Sequence, residues 1–325
     1  MPRVPFTSSY CTGGWLLTAL LLLVTPASAQ PGPASQPVSQ PASQPAVRPG
    51  SPAAPRDIIG PGEIRWKPHW PRFSTGEWIT TGAFAAMAIT AQLVPPRADT
   101  WRGGILADEA ARDVLRLDSL RDRRAARDVS DVLLTSLMAY PFLVDALVMT
   151  AWHHRSPGTA LEMALINAEV LAITAGLQGL ANIIGNRERP YGRNCGGELP
   201  SDIRDCDANK RFHSFYSGHS AQSFAAAGLI CSHHLNLELY GGGWADIIPC
   251  AAGFVAATAT ATLRVVGDQH YLSDVTIGAA MGTIIGLGVP WLLHYRHGAK
   301  KRQRSDDLTI RLVPMPNGAG LVGTF

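Results

Sequence analysis

Long apolar runs, each interrupted by a few polar positions, recur along the chain from Gly76 onward. The first, Ile79 to Val94, carries no charge, and the second, Val132 to Trp152, carries only Asp145. Both read as helices able to span a bilayer. The third, Leu161 to Ile184, includes Glu162, Asn167, Glu169 and Gln178, so one of its faces is expected to meet protein or water rather than lipid. Three more runs follow, Ser220 to Leu235, Trp244 to Leu263 and Ser273 to Leu293. In the last, Gly278, Gly282 and Gly286 recur four apart, a spacing that lets another helix approach closely. Strand signals are nearly absent before the tail, where LTIRLVP and GAGLVGTF flank Asn317 and Gly318 like a small hairpin. The pattern predicts an all-α fold, a bundle of about six long helices, with a small C-terminal β-hairpin.

The segments outside these runs have their own readings. Arg3, the apolar stretch Trp15 to Val24 and the small residues Ala27 to Ala29 form a signal-peptide pattern over residues 1–29, so the protein is expected to be exported. Residues 30–56 repeat Ser-Gln-Pro and have nothing to bury, which predicts an extended, disordered linker. A lead-in (57–75), the helical domain (76–297) and a basic tail (298–325) complete the division. The formal net charge of +3 changes little. The densest basic run, KKRQR from Lys300, follows an apolar helix and reads as a membrane headgroup contact, so no nucleic-acid partner is expected.

Candidate chemistry lies at the ends of the apolar runs. Cys195 and Cys206 bracket a polar loop between the third and fourth helices, close enough for a disulfide in an oxidising space. Cys231 and Cys250, inside apolar helices, read as small buried hydrophobes rather than a second bridge. Before the cysteine loop stands NRERPYGR, where Arg189 and Pro190 close the third helix. After it stands FYSGHS, where Ser217, Gly218 and His219 open the fourth; a helix start offers free N–H groups and partial positive charge to an anion. Between the last two helices, RVVGDQHYLSDV holds Arg264, His270 and Asp274, the last two one helical turn apart, so that the carboxylate is expected to hold the imidazole. Two arginines, a hydroxyl, helix-end amides, two histidines and an aspartate suit transfer of a phosphate to a nucleophile. His153, His154 and Arg155 read as a polar turn rather than a metal site.

These three motifs resemble the type 2 phosphatidic acid phosphatase and vanadium haloperoxidase superfamily, over about Gly76 to Tyr295. Its pattern is K-x6-R-P, P-S-G-H and S-R-x5-H-x3-D, and the matching text is NIIGNRERP, YSGH and LRVVGDQHYLSD. The resemblance implies that Arg189, Arg264, Ser217 and the Gly218 amide bind the phosphoryl oxygens. It implies that His270 attacks phosphorus to form a phosphohistidine, that Asp274 orients it, and that His219 protonates the leaving oxygen and then activates water. The family lysine is Asn182, which has no charge; Lys210 or Arg211 is a candidate replacement. The expected substrate is a lipid phosphomonoester or pyrophosphate, hydrolysed without a metal, with vanadate as an inhibitor. Two alternatives stand beside it: a vanadate-dependent haloperoxidase, for which vanadate is the cofactor, and a catalytically weak scaffold that binds lipid phosphates, because the family lysine is Asn182.

Membrane association with the site facing the periplasm or the outside is expected. If every later run spanned after a cleaved signal, the cysteine loop would lie inside. Either an early helix lies along the surface or within a protein core, or the domain is a periplasmic bundle that touches the membrane.

Overall fold

A computed structural model describes residues 62–97, 100–199, 206–296, 309–315 and 318–324. The signal pattern, the linker and the KKRQR run lie outside the described residues. The helix α1 (Thr75–Leu93) opens with a capping box, the Ser74 side chain accepting from the Glu77 N–H while Glu77 accepts from the Ser74 N–H. A short α2 (Asp108–Leu115) follows, then α3 (Leu120–Tyr140). At Pro141, which has no N–H to give, α3 continues as a π-helical segment to His153. The apolar run had marked only 132 onward. The helix begins twelve residues earlier because Ser119 caps it, accepting from Asp122 N at 3.0 Å, and because an arginine of its polar first half, Arg123, is held by Glu198.

Next come α4 (Pro157–Gly185), ended by Asn186 in the left-handed region at φ 43, and a 3-10 turn over Pro190–Asn194. The one-turn α5 (Ala208–Arg211), then α6 (Gly218–Leu237), α7 (Trp244–Val266) and α8 (Leu272–Pro290, continued to Tyr295) complete the helices. In the tail Thr309–Met315 pairs antiparallel with Gly318–Thr324. The fold is all-α in its body.

The bundle is built around α6, whose buried positions are mostly Ala, Ser and Gly. Small side chains let α8 lie almost backbone to backbone against it. A Cβ at Gly278, Gly282 or Gly286 would collide with the carbonyl oxygens of Ser217, Ala221 and Ala225 respectively. Beside this pair, α1 and α4 run in the same direction, tied by Glu162 to the Phe73 N–H (2.9 Å) at one end and by Arg97 to the Ile184 carbonyl (2.8 Å) at the other. Around Met163, Ile166, Val170 and Leu229 the apolar core fills the interior, closed by Trp66, Trp70 and Tyr295.

Four helices among the described residues are long and apolar enough to cross a membrane: 120–153, 157–185, 244–266 and 272–295. The run in α1, which the sequence allowed to span, is not among them. Leu143, Leu147, Trp152, Ile248, Val255, Ile284 and Trp291 point outward from these helices. Cys195 is joined to Cys206, with Cα atoms 5.9 Å apart. Cys231 is joined to Cys250 at 4.4 Å, which corrects their reading as free hydrophobes: the pairing runs between neighbouring α6 and α7, a proximity that helix periodicity does not reveal. At the turn after α3, the two His154 ring nitrogens face the carbonyls of Gly62 (3.0 Å) and Leu239 (2.9 Å), so this histidine ties chain segments together.

Candidate active site

The chain leaves α4 at Asn186 in extended form, and alternate side chains of Arg187, Glu188 and Arg189 then go to different tasks. Arg187 is fully buried. It donates to Asp274 Oδ1 (2.6 Å), Ser273 Oγ (2.9 Å) and Asp108 Oδ2 (2.7 Å), and lies between the rings of Trp101 and Tyr271 at 4.2 and 4.1 Å. Glu188 accepts from Arg211 Nε at 2.6 Å. Arg189 faces a cavity of about 240 Å³, where its Nε has no partner.

That cavity is lined by Gln92 of α1, Gln178 and Asn182 of α4, Arg189, Lys210, His213, Gly218, His219 and His270. Two are permanent cations, and none of these lining residues is a carboxylate. His270 is 2% exposed. Its Nδ1 lies 2.9 Å from the Ser214 carbonyl oxygen, which can only accept, so Nδ1 carries the proton and Nε2 is left with a lone pair. Nε2 has no hydrogen-bond partner. Burial, followed by the charges of Arg189 and Arg264, holds the His270 pKa well below the ordinary histidine value, so the ring is neutral.

The expected hydrogen bond between His270 and Asp274 does not form. Their nearest atoms, Nδ1 and Oδ2, are 3.8 Å apart. Asp274 is already engaged on both oxygens: it takes Arg187 on Oδ1, and the Ser214 hydroxyl (2.6 Å) and Tyr271 N–H (3.1 Å) on Oδ2. The carboxylate therefore holds the Ser214 segment whose carbonyl holds the imidazole. The turn that begins α8 at Leu272 directs His270 toward that segment rather than back onto its own helix.

His219 has the carboxylate instead. Its Nε2 is 2.7 Å from Asp131 Oδ1, which also accepts from Arg264 NH1 at 3.0 Å. Burial, with Arg264 and Arg189 acting in the same direction and Asp131 against them, pushes the His219 pKa down to about 4. His213 is lowered too, by burial and then by Arg189.

Of the residues singled out in the sequence, Arg189, Asn182, Gly218, His219 and His270 share the cavity. Ser217, Arg264 and Asp274 are buried and are not among its lining residues. The Ser217 hydroxyl caps α6, accepting from Ser220 N at 3.3 Å, and Arg264 NH1 is held by Ser130 Oγ (3.0 Å) and Asp131 while its Nε is unpartnered. Asn182 is buried with Oδ1 unpartnered. Lys210 lines the cavity, whereas Arg211 is engaged by Glu188.

Asp131, Arg187, His213, Ser214 and Gln92 escaped the sequence reading. Arg187 and His213 sit within a few residues of two of the motifs and carry a local signal. Asp131 lies on α3, 88 residues before His219, and nothing local marks it.

Residues 163–298 match the model of the PAP2 superfamily, so the resemblance read from the three motifs holds. Asp131 and Gln92 lie outside the matched segment. A stretch of 76 residues is 38% identical to the lipid A 1-phosphatase of Porphyromonas gingivalis, covering 23% of this chain and 15% of that protein. No solved structure gives a significant match.

Proposed function

We propose that this chain, which carries a PAP2 superfamily segment at residues 163–298, is a phosphatase that removes phosphate from a phosphorylated lipid at a membrane. One observation carries the reading above the rest: the unpartnered His270 Nε2, held in its nucleophilic tautomer by Ser214, shares a cavity with Arg189 and Lys210. Similarity to a lipid A 1-phosphatase supports a phosphorylated lipid as substrate, and the four long apolar helices support a membrane setting.

The substrate phosphate enters between Arg189, Lys210 and the N-terminal amides of α6 at Gly218, where positive charge and N–H groups meet its oxygens. His270 Nε2 attacks phosphorus. An N–P bond forms as the P–O bond to the lipid breaks, and the leaving oxygen takes a proton from His219. Its imidazolium is favoured once the negative charge of the bound phosphate offsets the burial and the arginine charges that lower its pKa in the free enzyme. His219 then accepts a proton from water, whose oxygen attacks the phosphohistidine; the N–P bond breaks and inorganic phosphate leaves. Asp131 steadies the charged form of His219, and Arg264 steadies Asp131. Export, and a site on the periplasmic or outer side, complete the proposal; the two disulfides support an oxidising compartment.

The experiment is rapid quenching with a radiolabelled lipid phosphate. Wild type should yield an acid-labile, base-stable phosphoprotein, and His270→Ala should yield neither label nor turnover. Normal turnover by His270→Ala would overturn the mechanism.

A further inference from the structure

Away from the catalytic cavity, one cluster of side chains has the chemistry of a site and no role so far. Glu77 in the first turn of α1, Glu169 in the middle of α4 and His294 at the end of α8 each bring a ligating atom to within 4.8 Å of the others. Glu169 is 1% exposed and His294 0%. Burial of this kind without partners is costly. Yet Glu169 Oε2 has no hydrogen-bond partner.

The histidine tautomer sharpens the point. His294 Nδ1 lies 3.1 Å from the Pro71 carbonyl oxygen, which only accepts, so Nδ1 bears the proton and the neutral ring offers a lone pair at Nε2. That lone pair faces Glu77 Oε1 at 2.9 Å, and neither atom has a partner in hydrogen-bond geometry. Three acceptors thus converge on one point without a donor between them. An imidazole whose far N–H is anchored by a backbone carbonyl is the arrangement that orients a histidine toward a metal.

We propose that Glu77, Glu169 and His294 bind a divalent first-row transition ion that ties α1, α4 and α8 together. The mixed carboxylate and imidazole set suits zinc or manganese; calcium and magnesium take oxygen donors alone. The ion supplies the partner that Glu169 Oε2 lacks and neutralises both carboxylates. Glu77 Oε2 meanwhile accepts from Ser74 N at 2.7 Å, so the same side chain couples the ion to the cap of α1. None of the three residues lines the catalytic cavity, and the ion has a structural role. The competing account is an imidazolium at His294 bridging the two carboxylates, which needs no metal.

The test uses the full chain in detergent, stripped with a chelator and reloaded with Zn²⁺ alone. About one zinc per chain should survive desalting, and the thermal midpoint should rise with added zinc. Glu169→Gln and Glu77→Gln should each weaken zinc binding by more than about tenfold, since even indirect supports of a ligand are worth 10- to 100-fold. Both variants should hydrolyse an aryl phosphate at the wild-type rate. Cobalt in place of zinc should give visible absorption that is lost in the same variants. Should His294→Ala fail to fold, Glu77→Gln keeps the test open, because its side chain is the most exposed of the three, at 13%. A wild type that takes up no zinc, with a midpoint indifferent to it, overturns the proposal in favour of the imidazolium bridge; so do Gln variants that bind zinc as tightly as wild type.

Discussion

His219 Nε2 lies 2.7 Å from Asp131 Oδ1, which stands 88 residues earlier in the chain on α3, and in the proposed mechanism this pair handles the proton. An accepting carboxylate on one ring nitrogen fixes the tautomer of the other and favours the protonated ring. Asp131→Asn should therefore lower kcat by about 10²-fold, the lower range for general acid–base catalysis. The loss should be larger for alkyl than for aryl phosphates, whose leaving oxygen needs no proton. Equal losses for the two substrate types would remove His219 from the role of acid.

The three histidines that line the cavity contribute to the pH dependence of stability with one sign. His213, His219 and His270 all bind protons more weakly in the folded chain, His219 down to about 4. Between those values and the ordinary value near 6.5, the unfolded chain holds more protons. Their contribution is thus complete above about pH 6.5 and is lost as pH falls. The thermal midpoint in detergent should drop on going from pH 7.5 to 5, and His213→Asn should flatten that slope. A midpoint that rises on acidification in this window would contradict the assignment.

Arg187 and Arg189, two residues apart, are placed differently: the first in a buried ion cluster, the second at the cavity. Arg187→Ala strands Asp108 and Asp274 as buried carboxylates without their cation, a loss of about 3–5 kcal/mol when one partner of a buried pair is removed. Arg189→Ala empties only part of a cavity wall. Denaturant unfolding should show a large loss for the first and little change for the second, while phosphatase assays should show the second inactive though folded. Comparable stability of the two variants would mean that the Arg187 cluster is not a structural keystone.

How far the sequence could be read follows from which contacts are local. Hydropathy marked the apolar helices, and the four-residue glycine spacing marked the close face that α8 turns to α6, because both are properties of single helices. That Arg189, Gly218, His219 and His270 come together was legible because each sits near a helix end. Helical spacing suggested Asp274 as the partner of His270, but spacing fixes which face a residue occupies, not whether its oxygens are already taken. Arg187 and Ser214 take them. The start of α3 and its Asp131 were not legible: the first half of that helix is charged, and its partners Glu198, Arg264 and His219 come from distant segments. The Cys231 to Cys250 bridge was missed for the same reason, since it depends on how two helices pack.

Asn182 leaves a gap in charge where the resembling motif has lysine, and the cavity nominates its substitute. Lys210 lines the same cavity, whereas Arg211 is bound to Glu188. A charge-assisted contact to phosphate is worth about 1.5–3 kcal/mol, or roughly 10- to 150-fold in binding. Lys210→Ala should raise KM and weaken vanadate inhibition by about that factor, and Arg211→Ala should act mainly on stability by freeing Glu188. In the Lys210→Ala background, Asn182→Lys should restore much of the loss, because either ammonium would meet the same phosphoryl oxygens. In the wild-type background the same substitution should add little. If Asn182→Lys instead raises kcat/KM strongly with Lys210 in place, Lys210 has not taken over the contact and the native site works without it. If wild type and all of these variants fail to hydrolyse lipid phosphates, pyrophosphates and an aryl phosphate, the buried amide at Asn182 marks a binding scaffold, and phosphate affinity rather than turnover becomes the property to measure.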